Sequence, residues 1–291
     1  MAHIKLRHIV QAMPHGSGLR KRKGRLLKPV KPSHKTELWY KAQLLAVVAQ
    51  LRKVAREVLL PELKRMEPLY AKASDGLARD AQVPRRSLET TFQNMAQRFG
   101  GIEQTAKRLS SLAAERNLDA VDDRLTESIK ASVSIDISPI LSMSGPIQEA
   151  MKAATQANID LIKSIPGQYF DKLGDAVGQN MEAGMRFEDL AKEVERIGDV
   201  TESRAKLIAR DQTSKMNSAF NQVRQTSLGI EKYIWQTSGD ERVREEHALN
   251  DGETFSWDKA PPTGHPGEDI QCRCVAVPFF DLDNEEELLG L

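Results

Sequence analysis

The feature that most constrains the fold is a change of period. From Leu44 to Val223 apolar residues recur at three- and four-residue steps, and after Gly229 they alternate. Leu44, Val47, Val48, Leu51, Val54, Ala55, Val58 and Leu59 form the first stripe, with Lys, Arg and Gln between them. Pro61 is expected to interrupt it, because proline lacks a backbone donor and crowds the preceding turn. Leu88, Phe92, Met95 and Phe99 stop at Gly100-Gly101; Ile102, Ala106, Leu109 and Leu112 resume, and Leu118, Val121, Leu125 and Ile129 follow. A further stripe from Ile147 to Ile165 is expected to end at Pro166-Gly167, and Tyr169, Leu173, Val177 and Met181 make another. Such stripes bury one face of each helix, so this part predicts a helical core.

Phe187 to Ile197 predicts a short helix that Gly198 terminates, since glycine takes the left-handed conformation at low cost. Asp199 and Glu202 then cap a longer helix to about Leu228, with Ala205, Ile208, Met216, Ala219, Phe220 and Val223 inward. Glu231 to Thr237 alternates Tyr233 and Trp235 against Ile234 and Gln236 and reads as a strand, with Cys272 to Phe279 a second. Ser238-Gly239-Asp240 and Asn250-Asp251-Gly252 are turn chemistry. The expected fold class is α+β: a mainly helical N-terminal domain, then a small α+β C-terminal domain with a long helix on a small β-sheet.

The chain of 291 residues is long enough for two domains, and its 29% charged and 5% aromatic content favours extended helices over a thick sheet-based core. No apolar run reaches the length of a membrane span, so a soluble protein with no membrane partner is expected. The two cysteines are one residue apart, too close for an easy disulfide, which fits a reducing compartment. A net charge of +1 hides an asymmetry. Every charged side chain between Met1 and Thr36 is basic, and Arg20, Lys21, Arg22, Lys23, Arg25 and Lys28 cluster among prolines and glycines. Residues 1–36 therefore read as a flexible basic arm for phosphates or an acidic protein face. The tail, residues 281–291, is acidic.

Chemistry is concentrated between Trp235 and Pro278. His247, His265, Cys272 and Cys274 supply two imidazoles and two thiols, an inventory suited to zinc, and a Cys-x-Cys at a strand end turns both sulfurs to one face. Cysteines are also common core residues, so burial without metal is a second reading. Asp240 is expected to pair with Arg242 or Arg244 and fix the turn before His247.

At these residues the chain resembles a known family. Asp240-x-Arg242-Val243-Arg244-x-x-His247, Leu249-Asn250-Asp251-Gly252 and His265-Pro266-Gly267-Glu268-Asp269-Ile270-x-Cys272-Arg273-Cys274 are similar to the phage Mu F-like head-morphogenesis proteins. The likeness extends over residues 185–280, with Asp211 and Gln212 standing where the family usually has Thr and Glu. It implies a minor head protein acting in head assembly, at or near the portal, in the host cytoplasm and then in the virion head. Its partners would be the portal, other head proteins and, through the basic arm, DNA. Trp235, Asp240, Arg242, Arg244, Asp251 and Gly252 would be structural motif residues. The expected division is 1–36 arm, 37–184 helical domain, 185–280 head-morphogenesis domain and 281–291 tail. Four ligands would close a zinc shell, favouring a structural ion over a catalytic one. The competing class is a metal-dependent hydrolase or toxin-like enzyme using the His/Cys cluster with Asp240 as general base.

Overall fold

The three- and four-residue apolar steps do form helices, and longer ones than the glycines and prolines suggest. The computed structural model describes residues 25–70, 85–141 and 143–280. In order these form β1 (Arg25–Leu26), α1 (His34–Val54), α2 (Leu60–Tyr70), α3 (Arg85–Arg98), α4 (Ile102–Val133), α5 (Gly145–Glu182), α6 (Phe187–Ser227), β2 (Lys232–Gln236), α7 (Glu245–Leu249), β3 (Thr254–Ser256) and β4 (Val275–Phe280). The class is α+β. The chain divides into two compact units, one from residues 38–110 and 156–209, the other from residues 1–37, 111–155 and 210–291. No helix among the described residues is long and apolar enough to cross a membrane.

In the unit of residues 38–110 and 156–209, Tyr40, Leu44, Val47, Val48, Leu51, Ala55, Leu59, Leu63, Met66 and Tyr70 make one buried stripe. Pro61 does not interrupt it. A π-helical turn, Ala55–Leu59, joins α1 to α2, and the Leu60 N–H reaches back five residues to the Ala55 carbonyl. The wider turn relieves the crowding a proline ring imposes on the preceding carbonyl. Pro166 likewise lies inside α5, where one lost hydrogen bond is set against a helix of 38 residues.

Gly198 is interior to α6 rather than a stop. A Cβ there would lie 2.9 Å from Arg52 Nε, so glycine admits the close approach of that side chain. Arg52 pairs with Glu195 at 2.6 Å and Asp199 at 2.8 Å, and Arg56 also reaches Glu195 at 2.6 Å. Asp199, expected as half of a capping pair, is thus a mid-helix ion-pair partner.

In the other unit, the sheet runs β1-β4-β2-β3 with every pair antiparallel. Tyr233 and Trp235 point into the core as the alternation requires. The second expected strand begins at Val275, which leaves Cys272 and Cys274 in the loop ahead of it. Gly229 ends α6 as expected: at φ 78° it lets the Ile230 N–H return to the Gln225 carbonyl at 2.9 Å. The basic stretch is not free from Arg25 onward. Leu27 and Val30 are buried, Lys28 exchanges backbone hydrogen bonds with the Ser128 hydroxyl, and Asn217 donates to the Val30 carbonyl at 2.9 Å. The expected arm residues 1–24 and the acidic tail, residues 281–291, lie outside the described residues.

The Arg56 hydrogen bond, opposed by burial and reinforced by Arg52, holds the Glu195 carboxyl down to about 2, below its ordinary 4.5. A folded pKa below the unfolded one contributes stability that is fully present above 4.5 and is lost as pH falls through about 2. Glu195→Gln is expected to cost about 1 kcal/mol at neutral pH. In denaturant titrations the gap between wild type and variant should close toward the acid end of that window.

Candidate metal centre

β2 fixes Trp235 in the core, and the chain then turns back over it through α7 and a loop that closes onto β4. His247 lies within α7, which starts cleanly because Arg244 at its N-cap is extended, with φ −66° and ψ 146°. The His247 ring stands edge-on to Trp235, centroids 5.3 Å apart, and is buried. Its Nδ1 lies 3.6 Å from Cys272 Sγ and 3.5 Å from Cys274 Sγ. The three donor atoms all lie within 4.8 Å of one another, an arrangement that can hold a metal ion.

The other face of the imidazole is also occupied. Nε2 lies 3.0 Å from Asp269 Oδ2, and a carboxylate there requires the proton on Nε2, leaving the Nδ1 lone pair facing the sulfurs. Asp269 is held in turn by Arg244, whose Nη1 reaches it at 3.1 Å while Nη2 donates to the Ile270 carbonyl at 2.8 Å. The loop is anchored beyond that point by Asp211, which accepts the Gln271 N–H at 2.7 Å. Gln271 sits at φ 60°, a left-handed conformation that a residue other than glycine keeps only under such constraint.

The two thiols act on each other. A hydrogen bond from Cys274, outweighing burial and helped by the backbone N–H groups of Cys274 and Gly267, brings Cys272 down to about 5. That same bond, with burial and the charge on Cys272, drives Cys274 up. The pair therefore favours one thiolate and resists two. The indole N–H of Trp235 is wholly buried and has no hydrogen-bond partner among the described residues.

His265 does not join this group. Its Nδ1 lies 2.8 Å from the Tyr233 hydroxyl, its ring is 5.0 Å from Trp257, and burial lowers its pKa. Two aromatic rings hold it in the core of the sheet, so three of the four expected ligands converge and the fourth is a core histidine. Asp240 also has a different partner: both of its oxygens accept from Arg273, whose hydrogen bond lowers the carboxyl pKa, while Arg242 contributes only its backbone N–H at 3.2 Å. Asp251 takes the Thr237 N–H at 2.7 Å, and Gly252, at φ 83°, donates to the Trp235 carbonyl at 2.8 Å. Of the basic-arm residues, Arg20, Lys21, Arg22 and Lys23 lie outside the described residues, Arg25 is in β1, and Lys28 is exposed.

Sequence reasoning missed Asp269, the N–H of Trp235 and the Tyr233 to His265 bond. Asp269 had a signal available, since it stands three residues before Cys272 in the same short loop. The Tyr233 contact had none, because 32 residues separate the partners. Tyr233→Phe should strand the buried His265 nitrogen and cost about 1–3 kcal/mol, read by urea denaturation.

Residues 171–277 match the sequence model of the family described as Phage Mu protein F like protein. An uncharacterized protein of Haemophilus influenzae is 37% identical over 278 residues, covering 92% of this chain and 58% of that protein. An uncharacterized protein of Methanocaldococcus jannaschii is 29% identical over 139 residues, covering 43% of this chain and 21% of its own length. The chain thus spans little more than half of one curated relative and about a fifth of the other. No solved structure matches it.

Proposed function

We propose, with the Phage Mu F-like match at residues 171–277 as the premise, that the chain is a minor head protein of a phage. It acts in head assembly at or near the portal, and its C-terminal unit is stapled by zinc. The match carries the assembly role. The convergence of His247 Nδ1 with Cys272 and Cys274 Sγ carries the metal. Two thiolates and an imidazole suit zinc among common metals, and a carboxylate on the far side of a ligating histidine is the usual outer support of such ions. A staple of this kind suits a unit whose sheet has strands of two, five, three and six residues.

The competing hydrolase reading requires Asp240 to take a proton. Its carboxyl is engaged by Arg273 and held below the usual range, which makes it a weak base. We therefore assign Asp240, Arg244, Asp251, Gly252 and the backbone of Arg242 to shaping the turns around the site rather than to catalysis.

The basic residues before β1 are proposed to meet packaged DNA, an anionic partner that needs no preformed fold. Deletion of residues 1–23 is the clean test, because removal beyond Arg25 also takes β1 and the buried Leu27 and Val30. Co-sedimentation with DNA should weaken steeply as salt rises, and the deletion should flatten that slope; an unchanged slope makes the segment a passive tail.

Elemental analysis should give about one zinc per chain, falling to none in His247→Ala, Cys272→Ser or Cys274→Ser, and unchanged in His265→Gln. With free zinc a hundredfold above the Kd, binding adds about 2.7 kcal/mol to stability, so chelation lowers the Tm. Asp269→Asn should weaken zinc about 10- to 100-fold while leaving the protein folded. Assembly is tested separately: mass spectrometry of purified particles should find the chain in heads, and its absence from them contradicts the head-protein assignment.

A further inference from the structure

Three ligands leave a tetrahedral ion with one open position. The residues around that position point to what fills it. A cavity of about 220 Å³ adjoins the site; His247, Cys272 and Cys274 form part of its wall, and the rest includes Arg210, Arg242, Arg244 and Arg273. No carboxylate is among its lining residues.

The four arginines are not equivalent. Arg244 is matched by Asp269 and Arg273 by Asp240. Among the described residues, no carboxylate lies within ion-pair distance of Arg210 or Arg242. An ion held by two thiolates and a neutral imidazole is itself neutral if it is zinc. The cavity then carries two uncompensated positive charges on planar, multidentate donors, beside the three candidate ligands that share its wall.

We infer that this cavity binds a phosphate-type dianion, with one oxygen completing the zinc shell and the others on Arg210 and Arg242. This rests on the three-ligand metal reading above and adds the ligand of the fourth position. A carboxylate fits less well, because it brings one negative charge to two free guanidinium groups, whereas a phosphoryl group brings about two charges and enough oxygens for both forks. The donor of that group is either free phosphate or the terminal phosphate of a nucleic acid strand, since both present the same oxygens. The arginine supply divides accordingly: Arg244 and Arg273 hold the loop that carries the ligands, and Arg210 and Arg242 face the anion.

The test uses the full chain loaded with cobalt(II) in place of zinc, its metal content measured on the same sample. Inorganic phosphate should change the visible cobalt spectrum, and calorimetry should show saturable binding to the zinc form, tighter than that of acetate. Arg210→Ala and Arg242→Ala should each bind phosphate about tenfold more weakly while keeping one metal per chain. A 5′-phosphorylated oligonucleotide that competes with phosphate where the unphosphorylated strand does not assigns the group to nucleic acid ends; competition by neither leaves free phosphate as the ligand. A protein holding one metal per chain that shows no spectral change and no heat with phosphate overturns this inference alone, as does acetate binding as tightly as phosphate. A folded protein that holds no metal overturns the metal reading and this inference together.

Discussion

One polar stripe on α6 ties the C-terminal sheet and its loops together. Asp211, Ser214, Ser218, Asn221 and Gln225 recur at steps of three and four, so they share a face, and each bonds a different part of what packs on it. Asp211 takes the Gln271 N–H, Ser214 donates to the Cys272 carbonyl at 2.9 Å, and Ser218 donates to the Pro266 carbonyl. Asn221 reaches the Ala276 carbonyl at 3.4 Å, and Gln225 accepts the Trp257 indole N–H at 3.0 Å. Loops carry backbone groups that a helix or sheet would otherwise pair, and burying them unpaired costs about 1–3 kcal/mol each. The stripe removes that cost along the whole ligand-bearing segment. It also explains Gly267, where a Cβ would lie 2.9 Å from Ser218 Cβ on a backbone at φ 90°.

The candidate metal centre inherits its rigidity from this arrangement. Its loop is tied to α6 through Gln271 and Cys272, and to the start of α7 through the Arg244 fork on Asp269 and Ile270. His247 is placed by α7, by Trp235 against its ring and by Asp269 on Nε2. The thiols and the imidazole thus approach from two independently fixed pieces of chain, which sets the separation of their donor atoms before any ion arrives.

The architecture was legible where a residue's own chemistry decides the outcome. Alternation located Tyr233 and Trp235, Gly229 marked the end of α6, and the His/Cys composition pointed to the right segment. It was not legible where a distant partner decides. Pro61 and Gly198 look like helix stops locally, but a π-turn absorbs the first and Arg52 fills the space left by the second. The polar stripe on α6 was hidden for a related reason. Reading apolar positions as inward placed Ala219 and Val223 in the core, whereas Asn217, Asn221 and Gln225 are the more buried because backbone carbonyls and an indole await them. Four metal-type residues in one segment similarly looked like four ligands, and only the Tyr233 hydroxyl and the Trp257 ring remove His265 from the set.

The paired thiols finally bear on why such a site would be built so deep. Cys272 ionises readily because Cys274 donates to it, and Cys274 then resists because a second negative charge would sit beside the first away from water. The backbone N–H groups of Cys274 and Gly267 favour charge on the Cys272 sulfur. A dication reverses the balance, since its charge offsets both thiolates at once and replaces the proton between them. Metal binding then releases protons and grows stronger as pH rises, while unfolding scatters the donors. In the proposed staple, folding of the ligand loop and occupancy of the site would be a single equilibrium, acting on the same backbone that the stripe on α6 holds from the other side.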